Sequence, residues 1–233
     1  MKRKLVALLP MKAHSERIPG KNFRDFLGKP LFRWMLDALL EVEEIGLIVI
    51  NTDARRILEE NGLTQGERVQ IRDRRQELCG DHVSMNRIIA DDIEAVPADD
   101  YLMTHTTNPL ISGETIGRAI SEYHQGIEDR GIDSLFSVNR VQTRFYRQDG
   151  TAINHDPDNL IRTQDLEPWY EENSCLYLFS HASFAATNAR IGKRPLLFTT
   201  PRLESRDIDE PDDWALAVAA AGSLQRGRNG SHA

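Results

Sequence analysis

Leu5-Val6-Ala7-Leu8-Leu9-Pro10-Met11-Lys12-Ala13-His14-Ser15-Glu16-Arg17-Ile18-Pro19-Gly20-Lys21-Asn22 is the stretch on which the fold turns. Its first five residues are an unbroken apolar run, the pattern of a strand buried on both faces, as in parallel sheets. Pro10 stops the run. The loop behind it carries three cations, Lys12, Arg17 and Lys21, with the hydroxyl of Ser15 and the glycine Gly20. In an open α/β sheet, ligands bind beyond the carboxyl ends of the strands. A loop of backbone N–H groups and several cations suits a polyphosphate. It is not a Walker loop, because Asn22 follows Gly20-Lys21 where Ser or Thr is required and no glycine stands at the earlier spacing. A solvated surface loop is the plain alternative.

Downstream, strand and helix patterns alternate. Pro30–Leu40 reads as a helix with Leu31, Trp34, Met35, Ala38 and Leu39 on one face. Leu47–Ile50 reads as a second buried strand, Asn51-Thr52-Asp53 as a cap, and Ala54–Glu60 as a helix ending at Asn61-Gly62. Val69–Arg72 is a short strand, Ser84–Ala95 a helix, Tyr101–Met103 a strand, and Ser112 a cap for the helix carrying Ile116, Ala119 and Ile120. Ser134–Val138 is the next strand. The alternation implies right-handed crossovers and a mostly parallel sheet. From Asn139 to Glu172 the chain turns polar and turn-rich, with a hairpin signal at Asp149-Gly150. The core resumes at Cys175–Phe179, with Leu196–Thr199 and Leu203–Ile208 as further extended pieces and Pro211–Ala221 as a closing helix. The expectation is one α/β unit over 1–222, an inserted arm at about 139–172, and a flexible tail over 223–233.

Of the 233 residues, 40% are hydrophobic and 28% charged, as in an ordinary soluble domain. Lys+Arg total 29 against Asp+Glu 36, a net charge of −7, which argues against a nucleic-acid or anionic-membrane partner. Two cysteines, Cys79 and Cys175, make no disulfide framework. The apolar run after Met1-Lys2-Arg3-Lys4 is too short for a signal peptide, so a cytoplasmic location is expected.

Three further clusters carry candidate chemistry. In Asp207-Ile208-Asp209 the two carboxylates share one side of an extended chain, and hard oxygen ligands suit Mg²⁺. A helix cap is the simpler role for Asp209-Glu210-Pro211. Asn51-Thr52-Asp53 and Thr104-His105-Thr106-Thr107-Asn108-Pro109 end strands on the phosphate-loop edge. Arg72, Arg74 and Arg75 form a basic cluster before Cys79-Gly80-Asp81.

In combination these segments resemble the sugar-acid cytidylyltransferases, most closely the acylneuraminate group. The resemblance rests on Ser15-x-Arg17-Ile18-Pro19-Gly20-Lys21-Asn22, Leu27-Gly28-Lys29-Pro30-Leu31, Thr52-Asp53, and Arg74…Leu78…Asp81…Ser84. It continues through Thr107-Asn108-Pro109-Leu110, Gln164-Asp165-Leu166, Glu172-Asn173-Ser174-Cys175-Leu176-Tyr177 and Asp207-Ile208-Asp209-x-Pro211-x-Asp213-Trp214. It implies a three-layer, Rossmann-like α/β nucleotidyltransferase core of the nucleotide-diphospho-sugar transferase type, with a small dimerisation arm and a homodimer or dimer of dimers. It also implies Mg²⁺-dependent transfer from CTP to a 2-keto sugar acid, with release of pyrophosphate, for cell-surface polysaccharide synthesis.

Carried onto this chain, the resemblance gives Lys21, Arg17 and Asp209 catalytic roles. Pro10, Lys12, Ser15, Lys21, Asn22, Asp53, Arg74 and Ser84 would bind the nucleotide. His105, Thr107, Asn108, Gln164, Asn173 and Tyr177 would bind the sugar acid, and Asp207 and Asp209 the metal. This chain departs from the family pattern at Lys12 (usually Arg), Glu16 (usually Lys), His105 (usually Gln), Asn108 (usually Ser) and Thr163, where a family Arg falls one place from Arg162. These changes lie mostly on the acceptor side. Alternatives are a 3-deoxy-manno-octulosonate cytidylyltransferase, which carries Pro at the Asn22 position, a nucleotide-sugar glycosyltransferase, and a nucleotide-binding module without activity.

Overall fold

A computed structural model describes residues 3–80 and 82–230; Asp81, part of the resemblance above, and residues 231–233 of the expected tail lie outside the described residues. The elements run β1 (Leu5–Leu8), β2 (Asp25–Phe26), β3 (Lys29–Pro30), α1 (Leu31–Leu40), β4 (Ile45–Thr52), α2 (Arg55–Glu60), β5 (Val69–Asp73) and α3 (Met85–Ala95). They continue with β6 (Asp100–Thr104), α4 (Gly113–Arg130), β7 (Ser134–Val141), β8 (Trp169–Ser180), α5 (His181–Thr187), β9 (Pro195–Thr199) and α6 (Pro211–Gly230).

Seven strands form one sheet in the order β5-β4-β1-β6-β8-β7-β9. Every neighbouring pair is parallel except the two that β8 makes with β6 and β7. The apolar run in β1 is buried on both faces, as its composition requires. Leu5, Ala7 and Leu9 pack with Phe32, Met35 and Leu36 of α1 and Ile116, Ala119 and Ile120 of α4. Val6 and Leu8 pack with Ile89 and Ile93 of α3 and Phe184 of α5. Helices thus cover both sides, giving three layers. A third cluster, around Phe26, Leu31, Ile208 and Ala217, seats α6 beside the first-strand loop. This packing places Asp209, just before α6, near the start of the chain.

Several boundaries differ from the sequence expectation. Strands β7 and β8 run past Asn139 and Glu172, so the irregular arm is shorter, roughly 142–168. The Asp149-Gly150 turn forms, with Tyr146 bridging Ala152 and Arg147 N–H donating to Thr151. Leu203–Ile208 is not a strand; the N–H groups of Glu204 and Ser205 turn back to donate to Pro201 O. The closing helix continues through Gly230, beyond the expected start of the tail. Ala54, rather than Asn51-Thr52-Asp53, occupies the cap position of α2, because Asp53 turns to accept the N–H of Ala13 at 2.7 Å. Ser112 does cap α4, accepting from Thr115 N–H.

At the opposite edge of the sheet Asp100 is fully buried and accepts from Arg3 at 2.7 Å and from the Tyr123 hydroxyl at 3.2 Å. Asp100→Ala is expected to lower stability in urea unfolding by about 2 kcal/mol. Tyr123 loses its acceptor inside the core, whereas the half-exposed Arg3 regains water. A loss under about 0.5 kcal/mol would show that the cluster is not stabilising.

Candidate active site

Backbone pairing continues past β1. Leu9 N–H donates to Val49 at 2.8 Å and Met11 N–H to Asn51 at 3.0 Å, so the loop leaves the sheet beside the end of β4. Gly20 sits in the left-handed region at φ 64°, where a side chain is disfavoured, and turns the loop back into the short helix Lys21–Phe23. Asn22 locks it. Its amide donates to Lys12 O at 2.8 Å, and its Oδ1 accepts from the Thr106 hydroxyl at 2.6 Å.

The loop forms one wall of a cavity of about 380 Å³ at the carboxyl ends of β1, β5 and β6. Pro10, Lys12, Ser15, Arg17, Lys21, Asn22, Arg74, His105, Thr107 and Asp209 all line it. Lys21 is nearly buried, and its Nζ donates to Ile208 O at 2.6 Å and to Asp209 Oδ1 at 3.1 Å. Arg17 lies 3.3 Å from Asp209 Oδ2 and 3.0 Å from Glu210. The cations of the first loop and the acidic triplet near the C-terminus therefore face each other directly. The triplet is held by Ile208 N–H donating to Thr107 O at 2.9 Å and by Asp213, which accepts from Asp209 and Glu210 N–H groups.

Arg74 occupies the far wall with Gly80, Val83, Met85 and Ile88, a mostly apolar slot. Its guanidinium is fixed by bonds to Asn51 Oδ1 (2.9 Å), Asn51 O (2.8 Å) and Met11 O (3.1 Å). Asn51 is oriented in turn by donating to Asp92 at 2.8 Å. Arg72 and Arg75, grouped with Arg74 in the sequence, are instead spent on the α3 carboxylates: Arg72 pairs with Asp91 and Asp92, and Arg75 with Asp91. Only the middle arginine of the three reaches the cavity.

The other candidates lie outside the cavity lining. Asp53 holds Ala13. Ser84 begins α3 between the lining residues Val83 and Met85, without a side-chain cap bond. Asn108 is fully buried. Gln164 belongs to the arm, its carbonyl accepting from Gln142. Asn173 is buried and donates to Asn139 and Thr200. Tyr177 is buried in the sheet, bonded to Glu172 and Ser174. For the last two, polar residues on a strand are satisfied internally at an irregularity in the β7–β8 pairing. Met11, Glu16, Gly80, Val83, Met85, Ile88 and Thr106 also line the cavity, beyond the residues expected from the sequence; most are apolar or small and carry no chemical signature in one dimension.

Electrostatics follow from burial. The Asp207 carboxyl is raised by desolvation and by the nearby Asp209, with a Thr107 hydrogen bond and Lys21 acting the other way. Its Oδ1 is buried without a hydrogen-bond partner. The Arg74 guanidinium is lowered by burial. Burial, with Arg190 and Lys21 adding to it, pushes the His105 imidazole down to about 4. A histidine lowered in the folded state is fully compatible with folding above its ordinary value and costs stability as pH falls from about 6.5 to about 4. Asp92, pushed up to about 6 by burial, works in the opposite direction over the same range. His105→Gln should isolate the first effect: its urea midpoint should exceed that of the wild type by more at pH 5 than at pH 7. An equal difference at both pH values would remove His105 as an acid-sensitive site.

Residues 6–201 match the family described as Cytidylyltransferase. The chain belongs to that family. Among curated cytidylyltransferase relatives, it is 28% identical over 226 residues to the CMP-N,N'-diacetyllegionaminic acid synthase of Legionella pneumophila, covering 91% of this chain and 94% of that one. It is 23% identical to the pseudaminic acid cytidylyltransferase of Campylobacter jejuni, covering 92% of this chain and 94% of the relative. The fold resembles a solved CMP:2-keto-3-deoxy-manno-octonic acid synthetase, with a TM-score of 0.62 at 17% identity over 96% of this chain and 99% of that one. It also resembles the 4-diphosphocytidyl-2C-methyl-D-erythritol synthase of Anaerococcus prevotii, with a TM-score of 0.66 at 12% identity over 95% and 97% of the two chains. The three-layer nucleotidyltransferase fold expected from the sequence is therefore the fold observed. No helix among the described residues is long and apolar enough to cross a membrane.

Proposed function

We propose that this chain transfers the cytidylyl group of CTP to the anomeric hydroxyl of a 2-keto sugar acid of the nonulosonic class, giving a CMP-sugar acid and pyrophosphate. The supporting observation is the convergence of Lys21, Arg17 and Asp209 on one cavity at the carboxyl end of β1. The substrate class is supported by the names of the full-length relatives. The hydroxyl oxygen bonds to the α-phosphorus while the bond to the pyrophosphate oxygen breaks, and the hydroxyl proton passes to solvent. Lys21, Arg17 and Lys12 hold the triphosphate and neutralise the leaving pyrophosphate. Catalysis is then mainly positioning and charge stabilisation. Arg74 and the slot beside it receive the base, with Asn22 toward the ribose.

The residues present fit Mg²⁺. Asp207 lies outside the cavity lining, with one buried oxygen that has no hydrogen-bond partner among the described residues, and Asp209, two residues on, lines the cavity. Two carboxylates with substrate phosphates and water completing the shell are this ion's usual setting. Each oxygen of Asp209 faces a cation but retains a second lone pair. Mg²⁺ bound there would offset charge on the α-phosphate and acidify the attacking hydroxyl.

The arm, which exposes Tyr146, Leu160 and Ile161, serves a homodimer or a dimer of dimers in this proposal. Sedimentation at micromolar concentration tests it, and a monomer counts against it. The site of action is the cytoplasm and the product feeds cell-surface polysaccharide.

One experiment addresses the central claim: pyrophosphate release measured with each ribonucleoside triphosphate against a panel of sugar acids, with and without Mg²⁺. Release confined to CTP with a nonulosonic acid and Mg²⁺ is expected. Release only with 3-deoxy-manno-octulosonate would move the substrate class, and no release with any pair would leave a nucleotide-binding module.

A further inference from the structure

Two adjacent carboxylates sit in the core behind the nucleotide cavity. Asp91 and Asp92 lie three and four residues beyond Ile88, on the same side of α3. Met85 and Ile88 of that helix line the cavity. In sequence an Asp-Asp pair on a helix reads as solvated surface. Here Asp92 is fully buried and Asp91 nearly so. Buried carboxylates persist only where cations or donors meet them. Arg72 of β5 pairs with both: its Nη2 lies 3.0 Å from Asp91 Oδ2, and its Nη1 donates to Asp92 Oδ1. Arg75 reaches Asp91 Oδ1 at 2.9 Å.

A further donor to the pair is uncharged. Asn51, fully buried near the end of β4, donates from Nδ2 to Asp92 Oδ1 at 2.8 Å and lies 3.4 Å from Asp91 Oδ2. An ionised carboxylate can only accept. It therefore fixes which end of the amide faces α3, and leaves Asn51 Oδ1 to accept from Arg74 Nε at 2.9 Å. Arg74 Nη2 donates to Met11 O at 3.1 Å and to Asn51 O at 2.8 Å. Nη1 makes no hydrogen bond among the described residues, and Arg74 lines the cavity. Turning the Asn51 amide round would set its NH₂ group against the guanidinium, donor against donor.

We infer that Asp92 is a positioning residue for nucleotide recognition: through Asn51 it sets the orientation of Arg74, so discrimination between bases depends on an ionised carboxylate outside the cavity lining. The inference rests on the placement of the base beside Arg74 proposed above. Protonated Asp92 can donate to Asn51 Oδ1, which reverses the amide and takes from Arg74 Nε its acceptor. Burial, with Asp91 adding to it, pushes the Asp92 carboxyl up to about 6 against the pull of Asn51 and Arg72. The ionised form is the competent one, so discrimination is complete above that value and is lost as pH falls through it. Asp92 is faced by Arg72 from β5, Asn51 from β4 and Asp91 from its own helix, and Arg74 by Asp53 and Cys79. The arginines keep their charge throughout. His105, in the same cavity, is held down at about 4, below the range that matters.

The test is titration of the full chain with CTP and with ATP. The two share one triphosphate, so the ratio of their affinities separates the base slot from the phosphate loop. CTP should bind the wild type more tightly. That preference should fall about fourfold between about pH 7.5 and pH 5.5, the drop in ionised fraction of a group titrating at about 6. Asn51→Ala should reduce the preference about tenfold at pH 7.5 through CTP affinity alone, with ATP unchanged. Asp92→Asn should abolish its pH dependence. Arg75→Gln, which removes a partner of Asp91 but no bond to Asn51 or Arg74, should keep the wild-type ratio and profile. A wild-type preference independent of pH, which needs no variant to fold, would overturn the inference. So would variants at positions 51 and 92 that keep the wild-type preference, or that lose CTP and ATP affinity equally. A preference lost in both variants, while no sugar acid supports pyrophosphate release by the wild type, would uphold the positioning role and overturn the transfer function. Pyrophosphate release from CTP with an unaltered preference in both variants would do the reverse. Equal binding of CTP and ATP by the wild type would overturn the positioning role together with the placement of the base.

Discussion

Lys21→Ala should lower kcat/KM for CTP about a thousandfold, corresponding to some 4 kcal/mol of transition-state stabilisation. Lys21 follows the left-handed Gly20, and its nearly buried ammonium is fixed by Ile208 O at 2.6 Å and Asp209 Oδ1 at 3.1 Å. A positive charge held this way needs little reorganisation when negative charge builds on the departing pyrophosphate, and the partly dry wall keeps the interaction strong. Alanine also leaves the Ile208 carbonyl without its donor, at a cost of about 1–2 kcal/mol in stability. The variant must therefore be compared at a temperature where both proteins are folded, with urea unfolding as the control. Lys21→Arg should not restore the rate, because the larger planar group does not fit between the same two acceptors. Activity within tenfold of wild type in Lys21→Ala would place the triphosphate elsewhere.

The second large effect is expected at Asp209. Asp209→Asn keeps the shape of the side chain but removes a charge proposed above to hold Mg²⁺, and on that proposal kcat should fall about a hundredfold to a thousandfold. The sign for nucleotide binding is the opposite. In the wild type, Asp209 neutralises both Lys21 and Arg17, at 3.1 Å and 3.3 Å. Its carboxylate competes with an incoming polyphosphate for the same cations. Without Mg²⁺, CTP should therefore bind the variant as tightly as the wild type or more tightly. The fold should persist, because Asp209 is about two-fifths exposed and the turn before α6 is held by Asp213. Unchanged kcat would refute the metal role. A loss of CTP affinity matching the loss of rate would make Asp209 a nucleotide-binding residue instead.

Much of the site was legible in one dimension because its logic is local. The apolar β1 run, the cationic loop behind it and the Asp-x-Asp triplet are each contiguous, and each names its chemistry through residue type. Which strand ends share an edge also followed from the strand–helix alternation. Other candidates lie outside the cavity lining, and two of them share a reason. Asn173 and Tyr177 are polar residues near a strand end, a pattern that ligand-binding and internally bonded side chains share. Only the β7–β8 irregularity and the acceptors around it show that both make hydrogen bonds inside the protein. Arg72, Arg74 and Arg75 look equivalent in sequence, yet the α3 carboxylates claim two of them and Asn51 aims the third at the cavity.

From the sequence alone came an α/β chain with a mostly parallel sheet and a cationic loop after its first strand, because burial periodicity and charge spacing are properties of neighbouring residues. The net charge of −7 was legible there too, but not its distribution. Tertiary structure alone decided that Lys21 and Asp209, 188 residues apart, form one ion pair. It also decided that Asn51 of β4 stands between Asp92 of α3 and Arg74. Such meetings depend on the parallel crossovers and on α6 packing against the first loop, which arise only when the whole core is assembled.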